Sequence, residues 1–284
     1  MVGSTPRAGY FYVLPALLLM IVILGFPSVA SVLESFGVGA KGPIGLHAYA
    51  KLAGDPEFYE TLRNTAIFVV AVVSMHLVLG LGTALLLNQE LRFRWLFRVL
   101  AILPWTMPDI IGGLIFRFMF DTLTGGVNAV LGALGLASAF DWLGDPTLAL
   151  GTVIAAEVWR GYPYVMLILL AGLQAIPQDQ YEAAKLDGVN AWKTFLHITV
   201  PNLKPMIYLA LVLDAIWECR LFGMIYGMTG GGPGISTQNL SLMVYKQYFQ
   251  FFDTAYAASV AVVLAAVLMV LAVPYVRLAL RDEK

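Results

Sequence analysis

Residues Gln178–Pro205 read QDQYEAAKLDGVNAWKTFLHITVPNLKP, a polar island between two long apolar segments. In a bare helical bundle a turn of a few residues joins neighbouring helices, so a polar connection of this length has a further task. Its composition describes two short helices and a bend. Asp179–Leu186 is made of helix formers, with Tyr181, Ala184 and Lys185 on one face at i, i+3, i+4 spacing. Gly188 suits the positive φ of a sharp turn. Ala191–Thr199 predicts a second short helix with Trp192, Phe195 and Leu196 as its apolar stripe. Ile198 and Val200 anchor it toward the membrane, and Pro201 closes the loop as the next apolar run begins. Two short helices at an angle form a knob able to transmit force, and Glu182 and Asp187 supply acids to pair with basic groups of a soluble partner. An amphipathic loop resting on the bilayer surface is the other arrangement these residues allow.

Around this island the chain is strongly apolar. Its 284 residues are 60% hydrophobic and 12% charged, with a mean hydropathy of +0.79. Soluble domains carry roughly 25% charged residues, so the composition is that of a membrane protein. Runs of spanning length lie at about 10–33, 61–88, 99–120, 147–173, 205–227 and 253–278. They predict an all-α membrane protein of six transmembrane helices, one membrane domain over 1–284, with the polar loop 178–204 between the fourth and fifth. Ser28-Val29-Ala30 has the pattern of a signal-cleavage site. A signal's apolar core runs about 7–15 residues, however, and this run is longer, so it is read as a span. Pro104 and Pro108 predict a kink in the third span.

Basic residues orient the chain. With the N-terminus inside, ten are cytoplasmic: Arg7, Arg92, Arg94, Arg98, Lys185, Lys193, Lys204, Arg277, Arg281 and Lys284. Four lie opposite, Lys41, Lys51, Arg63 and Lys246, while Arg117, Arg160 and Arg220 sit within spans. Both termini and the 178–204 loop are thereby placed in the cytoplasm. A net charge of −1 gives no bulk basic surface for nucleic acid. The single cysteine, Cys219, excludes an internal disulfide and a multi-cysteine metal site, and His47, His76 and His197 form no ligand pair by spacing.

A charge at the centre of a span costs roughly 2.5–3.5 kcal/mol on insertion scales, so each one there needs a partner or a task. Glu157 and Arg160 stand at i, i+3 and can neutralise each other. Asp214 and Glu218 stand at i, i+4, flanked on the same stripe by Trp217 and Leu221. Like charges one turn apart repel, which calls for a nearby cation, sugar hydroxyls or a proton; Arg160 is the cation expected there. These groups fit either a buried ion-pair network or a polar, aromatic-flanked translocation cavity. Pro163 is expected to distort the fourth span beside them. Gly230–Gly234 lacks the GK[ST] ending of a phosphate loop and reads as a turn. No ATP-binding motif or nucleophile–base set is present. Buried acids and broken spans also suit an ion-coupled secondary carrier, which is the alternative to a subunit driven by a separate ATPase.

Glu182-Ala183-Ala184, Asp187-Gly188, Ile198 and Pro201 stand in the spacing EAAxxDG…IxxP. This resembles the EAA signature of membrane subunits of binding-protein-dependent ABC importers. The surrounding AGLQAIPQDQYEAAKLDGVNAWKTFLHITVPNLKP, FRVLAILPWTMPDIIGGLIFRFMF from Phe97, AEVWRGYPYVMLILLAG from Ala156 and YGMTGGGPG from Tyr226 are similar to the maltose/trehalose-type carbohydrate branch. The match runs from about Thr61 onward, and Tyr10–Phe36 fits the usual first span.

The resemblance implies a permease subunit forming half of a sugar pathway, for a di- or oligosaccharide such as trehalose or maltose, in a bacterial or archaeal cytoplasmic membrane. It implies ATPase docking through Glu182, Ala183, Ala184, Asp187 and Gly188. It points to Arg160, Gly161, Tyr164, Asp214, Trp217, Glu218 and Leu221 as the substrate path. Implied partners are a second homologous permease, two ATP-binding cassette subunits that hold ATP and Mg, an extracytoplasmic sugar-binding protein and membrane lipid. No cofactor is expected in the chain itself. Asp214, Glu218 and Arg220 depart from the amide- and hydroxyl-rich lining expected of a maltose path, which leaves the sugar open and extends the range to a charged derivative such as a sugar phosphate.

Overall fold

Among the residues described by the computed structural model, 6–40, 43–136 and 140–279, every regular element is helical. Lys41, Arg281 and Lys284, three of the residues in the basic asymmetry, lie outside them. Five helices are long and apolar enough to cross a membrane, and a bent pair supplies a sixth. The first runs from α1 (Pro6–Met20) through a wide turn at Ile21–Gly25 into α2 (Phe26–Ser35). After the short α3 (His47–Ala53) come α4 (Pro56–Asn88), and later α8 (Pro146–Ala175) and α14 (Thr254–Ala279). Asp145 starts α8: its carboxylate accepts from the Thr147 N–H at 2.7 Å, and Pro146 occupies the first turn, where its missing N–H costs nothing. Hydrogen bonds from the Thr147 side chain and backbone hold the Asp145 carboxyl below the usual range.

The third span is broken rather than kinked. α5 (Arg94–Ile102) ends in a tight turn at Leu103–Thr106, and α6 (Asp109–Met119) leaves at 94° to it. Pro108 disfavours helical backbone at the residue before it, and Met107 is extended, φ −76° and ψ 126°. α7 (Gly126–Ala133) follows on the loop to α8.

The fifth span differs from its expected bounds at both ends. α9 (Gln178–Leu186) is a separate helix, but the second helix of the loop does not stop at Pro201. α10 (Ala191–Thr194) passes through a wide turn at Phe195–Thr199 directly into α11 (Val200–Cys219). Pro201 falls in the first turn of α11, where proline is tolerated. The Val200 N–H reaches back to Phe195 O, and the Asn202 side-chain amide donates to Ile198 O at 2.8 Å. At the other end the span stops at Cys219, and α12 (Gly223–Met228) is a separate short helix. α13 (Leu240–Tyr245) and a wide turn at Lys246–Gln250 lead to α14.

The chain falls into two compact units. One extends to Pro56 and includes Met243–Ala265. Inside it Ser35 and Tyr49 hydroxyls lie 2.8 Å apart, Lys51 pairs with Asp253 at 2.6 Å, and the Tyr256 hydroxyl donates to Asp55. The other unit spans Glu57–Leu242 and the chain from Ala266. Its core is the inner face of α8, Val165, Met166, Leu169 and Leu173, packed with Ala84 and Leu87 of α4 and Leu203 and Ala210 of α11. In the same unit α6 and α12 meet backbone to backbone. A Cβ on Gly113 would fall 2.7 Å from Met224 O, and one on Gly227 2.8 Å from Ile110 O. Small residues let helices approach this closely.

Gly113→Val is therefore expected to destabilise the protein by at least about 1–3 kcal/mol, because backbone cannot yield as a side chain can. Gly126→Ala, whose Cβ meets nothing within 4 Å, should be neutral. Thermal unfolding of both variants in detergent checks this; equal midpoints would mean that α6 and α12 are not in contact.

Candidate functional site

Four spans bring charged groups to one buried place. On α8, the Arg160 Nε donates to Glu157 Oε2 at 3.0 Å and its Nη2 to Oε1 at 2.5 Å, a two-point pairing across one turn. The remaining Nη1 lies 2.9 Å from Asp109 Oδ1. Asp109 opens α6, so the break at Pro108 is what delivers a carboxylate to that spot. On the far side, His76 of α4 places Nδ1 3.0 and 3.2 Å from the two carboxylate oxygens of Asp214 on α11. Its Nε2 lies 3.3 Å from the backbone carbonyl of Glu157. Glu218 follows one turn after Asp214, and its Oε2 has no hydrogen-bond partner. His76, Glu157, Arg160, Asp214 and Glu218 are all at most 3% exposed.

The side chain in hydrogen-bond reach of Asp214 is thus His76, while Arg160, the cation expected there, lines the same cavity as Asp214 and Glu218 without pairing directly with either. The guanidinium is already committed to Glu157 and Asp109, and His76 arrives from 138 residues away. Sequence reasoning also passed over Asp109 and Trp105. A histidine within an apolar run and an aspartate directly after a helix-breaking proline were the available signals.

An aromatic ladder flanks the charges. Trp105 stacks on Tyr164 with centroids 5.9 Å apart, Tyr164 on Trp217 at 6.4 Å, and the Arg220 guanidinium lies 4.8 Å over Trp217. Arg160, Gly161, Tyr164, Asp214, Trp217 and Glu218 line one small cavity together with Trp105. Its free volume is about 10 Å³, room for about one water molecule. Leu221 instead lines a neighbouring cavity of about 590 Å³ with Asp109, Trp217 and Arg220. Gly161 has a steric reason of its own: a Cβ there would collide with the His76 ring, 2.7 Å from Nε2.

At the cytoplasm-assigned loop, α9 and α10 flank a bend. Gly188 has φ +70°, and the Val189 N–H donates to Ala184 O at 3.0 Å. Asn190 starts the next helix by accepting from the Lys193 N–H at 2.9 Å. Ala184 is buried and seats α9, with the Tyr181 hydroxyl 3.2 Å from Thr199 Oγ1. Glu182, Ala183, Asp187 and Gly188 are exposed on the outer surface of the bend. Ala183, Ala184 and Asp187 also border an open groove of about 520 Å³ facing Lys193, Thr194 and His197. Trp192 stays 66% exposed and stacks on Phe195 at 5.8 Å.

Removing one partner of a buried ion pair costs about 3–5 kcal/mol, whereas replacing both by apolar residues is often neutral. Glu157→Leu should therefore lower the unfolding midpoint strongly, and Glu157→Leu with Arg160→Leu should recover much of the loss. A single variant as stable as the parent chain would show that the pair is not buried.

A family model described as "Binding-protein-dependent transport system inner membrane component" matches residues 76–281. The trehalose/maltose transport system permease protein MalF of Thermococcus litoralis is 37% identical over 247 residues, covering 85% of this chain and 83% of that protein. The sulfoquinovosyl glycerol transport system permease protein SmoG of Agrobacterium fabrum is 36% identical over 271 residues, covering 93% and 87%. The fold is shared with a chain of a bacterial ABC transporter involved in import of the acidic polysaccharide alginate. There the TM-score is 0.83 at 20% identity, covering 98% of this chain and 96% of that one.

Proposed function

This chain belongs to the binding-protein-dependent transport system inner membrane components, and on that premise we propose that it forms half of an ATP-driven import pathway for a carbohydrate. The observation that carries the mechanism is the continuity of the bend with a span. α10 runs into α11 without a break, so a push on the exposed acids of α9 that crosses the Gly188 bend, or the Tyr181–Thr199 contact, reaches Asp214 and Glu218 along one helix. In this reading Glu182, Ala183, Asp187 and Gly188 meet the ATPase subunit and Ala184 seats the helix that bears them. A second homologous permease completes the pathway, because six spans enclose too little. Two ATP-binding cassette subunits hold ATP and Mg, and an extracytoplasmic binding protein delivers the solute. Both termini face the cytoplasm, as the excess of basic residues on that side supports.

Arg160, Gly161, Tyr164, Asp214, Trp217, Glu218 and Leu221 form the substrate path. Carboxylates accept from sugar hydroxyls, and the Trp105–Tyr164–Trp217 ladder offers ring faces to the C–H groups of a pyranose. The cavity between them admits one water, so passage of a sugar requires the spans to part. ATP-driven closure of the cassettes draws the two docking knobs together and opens the path outward. The solute is a sugar of the trehalose or maltose kind, as the names of relatives support. The sulfoquinovosyl glycerol relative and the carboxylates beside the path extend the range to charged derivatives.

Glu182→Lys is expected to abolish solute-stimulated ATP hydrolysis in the assembled transporter while the chain stays inserted; stimulation at the parent level would remove the loop from the mechanism. Trp217→Ala and Tyr164→Ala should each reduce sugar uptake into proteoliposomes by roughly tenfold, on the scale of one lost aromatic contact of about 1–1.5 kcal/mol, with basal ATP hydrolysis retained. Uptake driven by an ion gradient without ATPase subunits would instead establish a secondary carrier.

A further inference from the structure

We propose that His76, Asp214 and Glu218 form a binding site for one borderline divalent cation such as Zn²⁺, buried among α4, α8 and α11. The donor set is one imidazole nitrogen and two carboxylate oxygens, all within 4.8 Å of one another. Bonds of about 2.0–2.2 Å place such ligands roughly 3–4 Å apart, so small side-chain rotations close the shell.

The orientation of the histidine is that of a ligand. A ligating histidine characteristically donates its other ring N–H to a carbonyl or carboxylate, which fixes the tautomer. Here Nε2 faces Glu157 O at 3.3 Å. In the tautomer that protonates Nε2, the Nδ1 lone pair faces Asp214 oxygens 3.0 and 3.2 Å away, and a cation between them satisfies both; in the other tautomer Nδ1–H donates to Asp214.

The charge balance calls for the same thing. Of the charged groups packed around the site, Arg160 is shared between Glu157 and Asp109, and the exposed Arg220 lies over Trp217. Asp214 and Glu218 are left with no ion pair to a lysine or arginine: Arg160 lines the same cavity but spends its hydrogen bonds on Glu157 and Asp109, and His76 alone is in hydrogen-bond reach of Asp214. Glu218 supplies an independent pointer, since its Oε2 is unpartnered in a residue that is 1% exposed. A buried carboxylate oxygen without a partner is costly, and Glu218 and Asp214 border, with Arg160, a cavity with room for about one water. A neutral His76 and a divalent cation satisfy the orphan oxygen, the facing lone pairs and the charge together. The competing state uses protons instead, one on each imidazole nitrogen and one on Glu218.

The test uses the chain assembled with its partner subunits in lipid nanodiscs, stripped with a chelator and titrated with ZnCl₂ without solute or ATP. One Zn²⁺ per copy of this chain is expected, with an X-ray absorption shell of imidazole nitrogen and carboxylate oxygen and no sulfur, although Cys219 adjoins Glu218. Loss of an outer-shell partner alone typically weakens metal binding 10–100-fold, so Glu218→Gln and Asp214→Asn should each weaken it by more than roughly tenfold. Absence of stoichiometric Zn²⁺, a sulfur-containing shell, or binding by both variants equal to the parent chain would overturn the proposal in favour of the protonated state. Should the variants fail to assemble, the absorption shell of the parent chain decides alone. A negative result leaves the transport reading standing, because that rests on solute-stimulated ATP hydrolysis.

Discussion

Burying charge in a low-dielectric interior is what the arrangement of spans has to solve. An unpaired charge there is expensive, and among the described residues five acidic or basic side chains, His76, Glu157, Arg160, Asp214 and Glu218, are almost completely enclosed. Their mutual satisfaction requires α4, α6, α8 and α11 to converge on one point. Arg160 ties α8 to α6 through Asp109, and His76 ties α4 to α11 through Asp214. The apolar core along α8 packs against α4 and α11, two of the helices that carry these charged groups.

The irregular backbone serves the same end. A membrane interior demands that every backbone group find a partner, so breaks are tolerated only inside protein or beside water. The third span breaks at Met107–Pro108, and the break turns the first residue of α6 toward Arg160. The broken half is then held by glycine-to-backbone contact with α12 and by Phe116 packed edge-on against Trp159 of α8, with ring centroids 5.5 Å apart. Gly161 has a related purpose, since removing its side chain makes room for the His76 ring. Proline and glycine here position charges rather than merely interrupt helices.

The loop and the buried site are joined by one rigid element. A wide turn at Phe195–Thr199 absorbs the proline at 201 without ending the helix, so α10, the second helix of the knob, and the charged stripe of α11 belong to one continuous helix. Trp192 remains exposed at the knob's edge, an apolar surface that an isolated soluble domain would cover.

Composition and apolar run length alone determined that the chain is helical and crosses a membrane, because a bilayer of fixed thickness demands long uninterrupted apolar helices. The bend at Gly188, the acids beside it and the Glu157–Arg160 pair were legible too, since each depends on residues within one or two turns of each other. The partnership of His76 with Asp214, the delivery of Asp109 by a broken span and the passage of α10 into α11 were not. Those depend on which helices lie side by side and on whether a wide turn can accommodate a proline, and residues 138 positions apart acquire a common electrostatic fate only once packing has put them within hydrogen-bond reach.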